Sequence, residues 1–341
     1  MEIFPTPDNP APPGAIVTPV RTADDLMLRV VRWVPHGEPL GTVAILPGRT
    51  EFVEKYFEVT GELLARGLVV VALDWRGQGL SERDLKDPRK GHVDDFAFYE
   101  RDLDALHQQV LQFLCPQPWF ALGHSMGASI LLAQARDGRS PFARMVLTAP
   151  MIDIAGLRVP RLVRALIEGL DMVGLGTAYV LGGSQKATLE CGFEGNDLTS
   201  DPIRFARLAG TLQVAPQLGL GGPTVGWLNA AFRLIDEFAD AEYPRRTFTP
   251  TLVLGAGKDR VVPLHAVERF ATRLKVGRLI VLSDSRHEIL MERDHIREQF
   301  WAAFDAFIPG EHFSVPALEA AAEAKRALRS HRRWFRRHQA A

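Results

Sequence analysis

The sequence predicts an α/β fold: a mainly parallel sheet flanked by helices and interrupted by an inserted cap. Three observations carry this. From residue 26 onward, short β-branched apolar runs alternate with helical patterns, as in a wound sheet. Most of the runs are apolar almost throughout, as strands covered on both faces are. The rhythm then stops between about 151 and 245, where a Gly-rich stretch with little strand signal separates the two parts of the pattern.

Residues 1–19 contain six prolines (Pro5, Pro7, Pro10, Pro12, Pro13, Pro19), which favour an extended arm over a packed element. LRVVRWV (28–34), TVAIL (42–46), LVVVALD (68–74), WFAL (119–122) and MVLTAP (145–150) read as strands, followed by TLVLGAG (251–257) and LIVLS (279–283). Helical stretches lie near 53–66, 93–113, 126–137, 264–275 and 288–307. The core therefore occupies 20–150 and 246–310, the cap 151–245 with a helical patch at 159–170, and a tail 311–341. An insertion over the C-terminal sheet edge, where open α/β sheets place ligands, reads as an apolar cap facing a substrate. A loosely packed insertion is the plainer alternative.

Composition sets outer limits. The 341 residues hold 40 Lys+Arg against 41 Asp+Glu, a formal charge of −1, with 46% hydrophobic residues. That is globular, with no bulk preference for nucleic acid. The seven basic residues of 325–341 carry +7 of that total, so residues 1–324 stand at −8. Two cysteines, Cys115 and Cys191, make no disulfide framework and suit a reducing compartment. The N-terminus lacks a basic and apolar leader pattern, and no uncharged apolar run reaches the ~18 residues of a membrane span, so a cytoplasmic location is expected. No His/Cys spacing suggests a metal site.

The chemistry concentrates at strand ends. WFALGHSMGAS places Gly123-His124-Ser125-Met126-Gly127 directly after a strand and before a helix. Small residues at 123 and 127 permit the sharp turn that exposes the Ser125 hydroxyl above the sheet. A serine hydroxyl needs a base, and the base an orienting acid. Asp259 follows the strand TLVLGAG and His287 follows LIVLS, both on the edge that bears Ser125. Asp259 could instead cap the helix beginning near Pro263, and His287 could be a surface histidine before a helix. Asp284 is a rival acid, poorly placed to face a ring three residues away on its own loop. Oxyanion donors are expected from the backbone N–H of Met126 and of Arg49, the latter in the loop Pro47-Gly48-Arg49-Thr50-Glu51. The Arg49 side chain either meets an anionic head group or reaches solvent. The turn Asp74-Trp75-Arg76-Gly77-Gln78-Gly79 reads as structural, with Arg76 pairing Glu51 beneath the oxyanion loop.

Together these residues resemble the serine α/β-hydrolase superfamily, and within it the bacterial lysophospholipase and monoacylglycerol lipase-like branch. The resemblance covers about 26–308 and rests on ILPGRTEFVEKY, LDWRGQGLSERDLKDPRKGHVDDF, LGHSMGAS, GKDRVVP and RHEILMERD. In the cap it extends to Asn196, Leu198, Thr199, Asp201, Arg204, Gly221-Gly222-Pro223-Thr224 and Trp227. Pro47 stands where lipase-like relatives usually have His, although bacterial lysophospholipases also look like Pro-Gly-Arg here. The resemblance implies an α/β-hydrolase fold and ester hydrolysis of a single-acyl lipid, lysophospholipid or monoacylglycerol, through Ser125, Asp259 and His287 without a cofactor. A small-ester carboxylesterase and a catalytically silent lipid-binding protein are the rival readings.

The tail lies outside the resemblance. On a helical wheel its seven basic residues fall within an arc of about 140°, with Trp334 and Phe335 outside it. Such a face suits an anionic membrane surface, and equally docking on the acidic body, with nucleic acid the least favoured partner.

Overall fold

The computed structural model describes residues 1–155, 161–180, 185–186 and 188–308. The predicted tail, 311–341, lies outside the described residues, as does part of the helical patch at 159–170.

The strands are β1 (Ile16–Arg21), β2 (Met27–Trp33), β3 (Gly41–Leu46), β4 (Leu68–Leu73), β5 (Trp119–His124), β6 (Arg144–Thr148), β7 (Thr251–Ala256) and β8 (Gly277–Leu282). They form one sheet in the order β1-β2-β4-β3-β5-β6-β7-β8. β2 runs antiparallel to β1 and β4, and every pair from β4 to β8 is parallel. Alternate side chains of β3 and β4 point to opposite faces. Ala44, Leu46, Val69, Val71 and Leu73 belong to one core, and Val43, Ile45, Val70 and Ala72 to the other. Near-continuous apolarity follows from this double coverage.

One face is covered by α2 (Ala97–Leu106), α4 (Met126–Ala135) and α8 (Leu264–Ala271), and the short α3 (Gln112–Leu114) follows α2 at the surface. A π turn at His107–Leu111 joins α2 to α3. The other face is covered by α1 (Phe57–Ala65) and α9 (Asp294–Phe307). Between β6 and β7 lie α5 (Arg161–Leu170), α6 (Pro202–Val214) and α7 (Val225–Ala239), where the Gly-rich insertion is. Asp201 caps α6 by accepting from the N–H groups of Ile203 and Arg204, with Pro202 in the first turn, and the Thr224 hydroxyl caps α7. Arg204 then binds Glu58 of α1 at 2.7 Å and Asp294 of α9 at 2.7 Å, joining α6 to the core. Burial opposes ionisation of Glu58, but Arg204, Arg297 and Arg207 bring its pKa down to about 2.

The N-terminal arm forms no helix or strand before Ile16 and turns at Thr6–Asn9, yet it is packed. Asn9 is 2% exposed and donates to the Glu54 carbonyl at 2.9 Å, and the Phe4 N–H donates to the Glu54 carboxylate. Residues 16–21 add a strand that the prolines conceal. Pro19 is accommodated because β1 is an edge strand.

Candidate active site

Ser125 sits between β5 and α4 with φ +48° and ψ −113°, a backbone conformation that non-glycine residues rarely adopt. Its neighbours make the turn possible. A Cβ on Gly127 would lie 2.2 Å from the Leu46 carbonyl oxygen and 2.4 Å from that of Pro47, and one on Gly123 would strike Leu131 at 2.7 Å. Glycine at 127 thus lets α4 approach the end of β3, so the serine turn and the loop after β3 share one backbone contact.

The structure brings Ser125, His287 and Asp259 together. His287 Nε2 is 3.0 Å from Ser125 Oγ, and His287 Nδ1 is 2.8 Å from Asp259 Oδ2. With the Nδ1 proton directed at the carboxylate, Nε2 is free to accept from the serine hydroxyl. Asp259 takes the orienting position, whereas α8 opens at Pro263 without a side-chain cap. While Oδ2 faces His287, Oδ1 accepts from the N–H groups of Val261 and Val262. The rival acid Asp284 points away and pairs with Lys258 at 2.6 Å, both exposed.

Arg49 lines the same cavity as Ser125 and His287. Met126 opens α4, where backbone N–H groups have no intrahelical acceptor. The loop holding Arg49 is fixed from several sides. Trp75 Nε1 donates to the Pro47 carbonyl at 2.7 Å, the Thr50 N–H donates to Gln78 Oε1 at 2.8 Å, and the Gly48 N–H donates to the Glu51 carboxylate. The turn at 74–79 is structural, as expected, and Trp75 and Gln78 are its contacts with the loop.

The expected Arg76–Glu51 pair does not form. Arg76 is held by Asp102 at 2.6 Å and Asp24 at 2.8 Å, on the other side of its turn. Glu51 instead accepts from Lys55 Nζ at 2.7 Å and the Tyr56 hydroxyl at 2.5 Å, and Lys55 also reaches Glu288, next to His287, at 2.5 Å. One buried cation thus joins the loop after β3 to the loop bearing the histidine. Burial opposes charge on Glu51, yet Lys55 and His124 lower its pKa to about 2. Glu288 shifts the other way: burial outweighs Lys55, and the nearby Glu51 charge adds to the effect. His124 lies with its ring centroid 4.8 Å from that of His287, and burial takes its pKa down to about 4, so it is neutral near pH 7. Sequence reasoning placed His124 only in the serine turn and missed Lys55 and Glu288. The i, i+4 spacing of Glu51 and Lys55 at the entry to a helical stretch was the available signal.

The cavity has a volume of about 490 Å³. Its apolar lining comes from Met151, Ile154, Val180, Trp227, Leu228 and Val261, mostly in the insertion. The Arg49 side chain neither pairs with a carboxylate among the described residues nor runs out into solvent. Its guanidinium lies 5.0 Å from the Trp227 ring centroid and donates to the Gly221 carbonyl at 2.8 Å.

The chain matches the family model described as serine aminopeptidase, S33, over residues 37–294. It is 33% identical to lysophospholipase L2 of Escherichia coli over 289 residues, covering 80% of this chain and 82% of that protein. It is 26% identical to the monoacylglycerol lipase of Mycolicibacterium smegmatis, covering 68% of this chain and 75% of that one. Among solved structures, a soluble variant of the monoglyceride lipase of Saccharomyces cerevisiae superposes with a TM-score of 0.70 at 17% identity. That match covers 89% of this chain and 98% of the yeast chain, and bears on the fold alone.

Proposed function

The chain belongs to the serine aminopeptidase S33 family of α/β hydrolases, and from that membership we propose that it is a serine esterase cleaving the carboxylic ester of a single-acyl lipid. The observation that carries this reading is the hydrogen-bonded line Ser125–His287–Asp259 opening into an apolar cavity. His287 Nε2 takes the Ser125 proton as Oγ attacks the acyl carbonyl. The carbonyl π electrons move to oxygen, which is stabilised by the N–H groups of Arg49 and Met126. The tetrahedral intermediate collapses, the ester C–O bond breaks, and the imidazolium returns its proton to the leaving alcohol. Water, deprotonated by the same nitrogen, then releases the fatty acid and restores Ser125. Asp259 holds the ring in the tautomer that makes both transfers possible. The acyl chain lies along Met151, Ile154, Val180 and Leu228.

The family's description names a peptidase, and the cavity argues for an ester of apolar acid instead. An N-terminal ammonium group would need an unmatched carboxylate. Of the carboxylates in the cavity wall, Glu51 and Glu288 are bound to Lys55 and Asp197 pairs with Arg260, which leaves the exposed Glu194. Arg49 in the same wall would repel a cation.

A fluorophosphonate probe is expected to label the wild-type protein and to leave Ser125→Ala unlabelled. No labelling of wild type, or equal labelling of both, would return the chain to a catalytically silent lipid binder. A series of p-nitrophenyl esters separates the remaining rival, since a small-ester carboxylesterase would lose rate as the acyl chain lengthens.

No helix of the described residues is long and apolar enough to cross a membrane. We further propose a cytoplasmic enzyme drawn to an anionic inner membrane face by its basic C-terminal segment. Seven basic residues within 325–341 support this, each contributing on the order of 1 kcal/mol near an anionic surface. In vesicle flotation the full chain should bind phosphatidylglycerol-containing vesicles and release with added salt, and a chain ending at residue 310 should not. Equal binding by both would place the segment elsewhere, against the acidic body.

A further inference from the structure

The buried arginines among the described residues face carboxylates: Arg29 meets Glu54 and Asp74, Arg76 meets Asp24 and Asp102, Arg204 meets Glu58, and Arg297 meets Glu62. Arg49, a half-buried residue, is the contrast. Its Nε is buried with no hydrogen-bond partner, Nη2 has only the neutral Gly221 carbonyl, and no described carboxylate lies against it. Desolvation lowers its pKa to about 10, which leaves it charged at neutral pH. A cation held this way in the wall of a cavity is stabilised by any anion that enters.

The surroundings are shaped to hold it. A Cβ on Gly91 would lie 2.5 Å from Nη2, so only glycine leaves room for the guanidinium there. The insertion closes the other side. Gly91 pairs with Pro223, the Thr224 N–H donates to the Gly91 carbonyl at 3.0 Å, and α7 brings the Trp227 ring against the guanidinium. The segment Gly221-Gly222-Pro223-Thr224 and Trp227, to which the esterase chemistry gives no role, thereby forms the seat of one cation.

Arg49 also spans the distance that matters. Its backbone belongs to the loop proposed to bind the acyl carbonyl oxygen, and its side chain runs from there along the cavity wall. In a single-acyl glycerophospholipid the glycerol carbons likewise separate the ester carbonyl from the phosphate. We propose that the Arg49 guanidinium is the head-group recognition element of this site and binds the phosphate of a single-acyl glycerophospholipid. The inference rests on the lipid-esterase reading above and selects within it. A monoacylglycerol would leave the buried charge unmatched.

The test compares 1-acyl-glycerophosphocholine with a monoacylglycerol of the same acyl chain, both monomeric in solution, using the full-length protein. Wild type should favour the phospholipid. In Arg49→Gln the ratio of the two kcat/KM values should fall by about 10- to 100-fold, as expected for loss of one charge-assisted hydrogen bond, and chiefly through KM. Arg49→Lys should recover part of it. Gly91→Ala, which keeps the charge and crowds its seat, should move the ratio the same way. An ether-linked alkylphosphocholine should inhibit hydrolysis of a p-nitrophenyl ester by wild type, with its inhibition constant raised by a similar factor in Arg49→Gln. Inorganic phosphate as a second inhibitor separates a lipid-borne phosphate from a free anion, and equal inhibition by the two would overturn the head-group assignment. A ratio unchanged within about twofold in variants that still cleave the p-nitrophenyl ester overturns the inference and leaves the esterase reading intact. Cleavage of the monoacylglycerol alone by wild type does the same. Failure of wild type on both lipids overturns the lipid-esterase reading, and this inference with it.

Discussion

Exchanging His287 for Ala is expected to lower kcat for ester hydrolysis by about five to six orders of magnitude, and adding Ser125→Ala should cost almost nothing more. The reason is geometric. Ser125 Oγ and Asp259 Oδ2 are joined only through the two ring nitrogens, at 3.0 and 2.8 Å, so the three groups act as a unit. Asp259→Asn should be milder, roughly four orders of magnitude. Its side-chain oxygen can still accept from Val261 and Val262, but its amide then faces Nδ1 and favours the wrong tautomer. Steady-state hydrolysis of a p-nitrophenyl ester by the singles and the double checks the pattern. Retention of more than about a hundredth of the activity in His287→Ala would mean that another base, with His124 the nearest ring, takes the serine proton.

Lys55→Met carries the largest stability effect we expect, a loss of about 3–5 kcal/mol near pH 7.5. The substitution leaves Glu51 and Glu288, both almost fully buried, sharing a site with no cation. Two such carboxyls titrate above their unfolded values, so the folded variant binds protons that the unfolded chain has released. Its stability must therefore fall as pH rises through and beyond the unfolded carboxyl range, near 4.3, and recover towards pH 5. Denaturant unfolding of both proteins at pH 5 and 7.5 measures this. Adding Glu288→Gln should restore part of the loss. A variant equally unstable at both pH values would point to lost packing instead of unpaired charge. Activity should fall with it, because Glu51 holds the Gly48 N–H and Glu288 adjoins the histidine.

Local signals were legible in the sequence where one segment contained both the element and its punctuation. The turn at Ser125 is bounded by glycines whose necessity shows in the contacts a Cβ would make, and Asp259 and His287 each lie in the loop that directly follows a strand. Pairings between distant segments were not legible. Arg76 had a plausible partner in Glu51, but Asp24 and Asp102 reach it from elements far apart in the chain. Arg49 was expected at an anion or in solvent because nothing near it in sequence announces a seat built by Gly91, Gly221 and Trp227. β1 was hidden for a different reason. An edge strand with one paired neighbour and half-exposed side chains has neither the continuous apolarity of a covered strand nor clear alternation.

The left-handed backbone at Ser125 has a consequence for how such a chain can change. A residue held at φ +48° is maintained by everything packed around it, and a glycine there would relax the turn at no steric cost. Thermal hardiness and the proposed nucleophile therefore compete at this single position, and a glycine chosen for robustness alone would remove the hydroxyl. Variation in substrate preference faces no such conflict in the insertion, whose side chains form much of the cavity wall without bearing the turn.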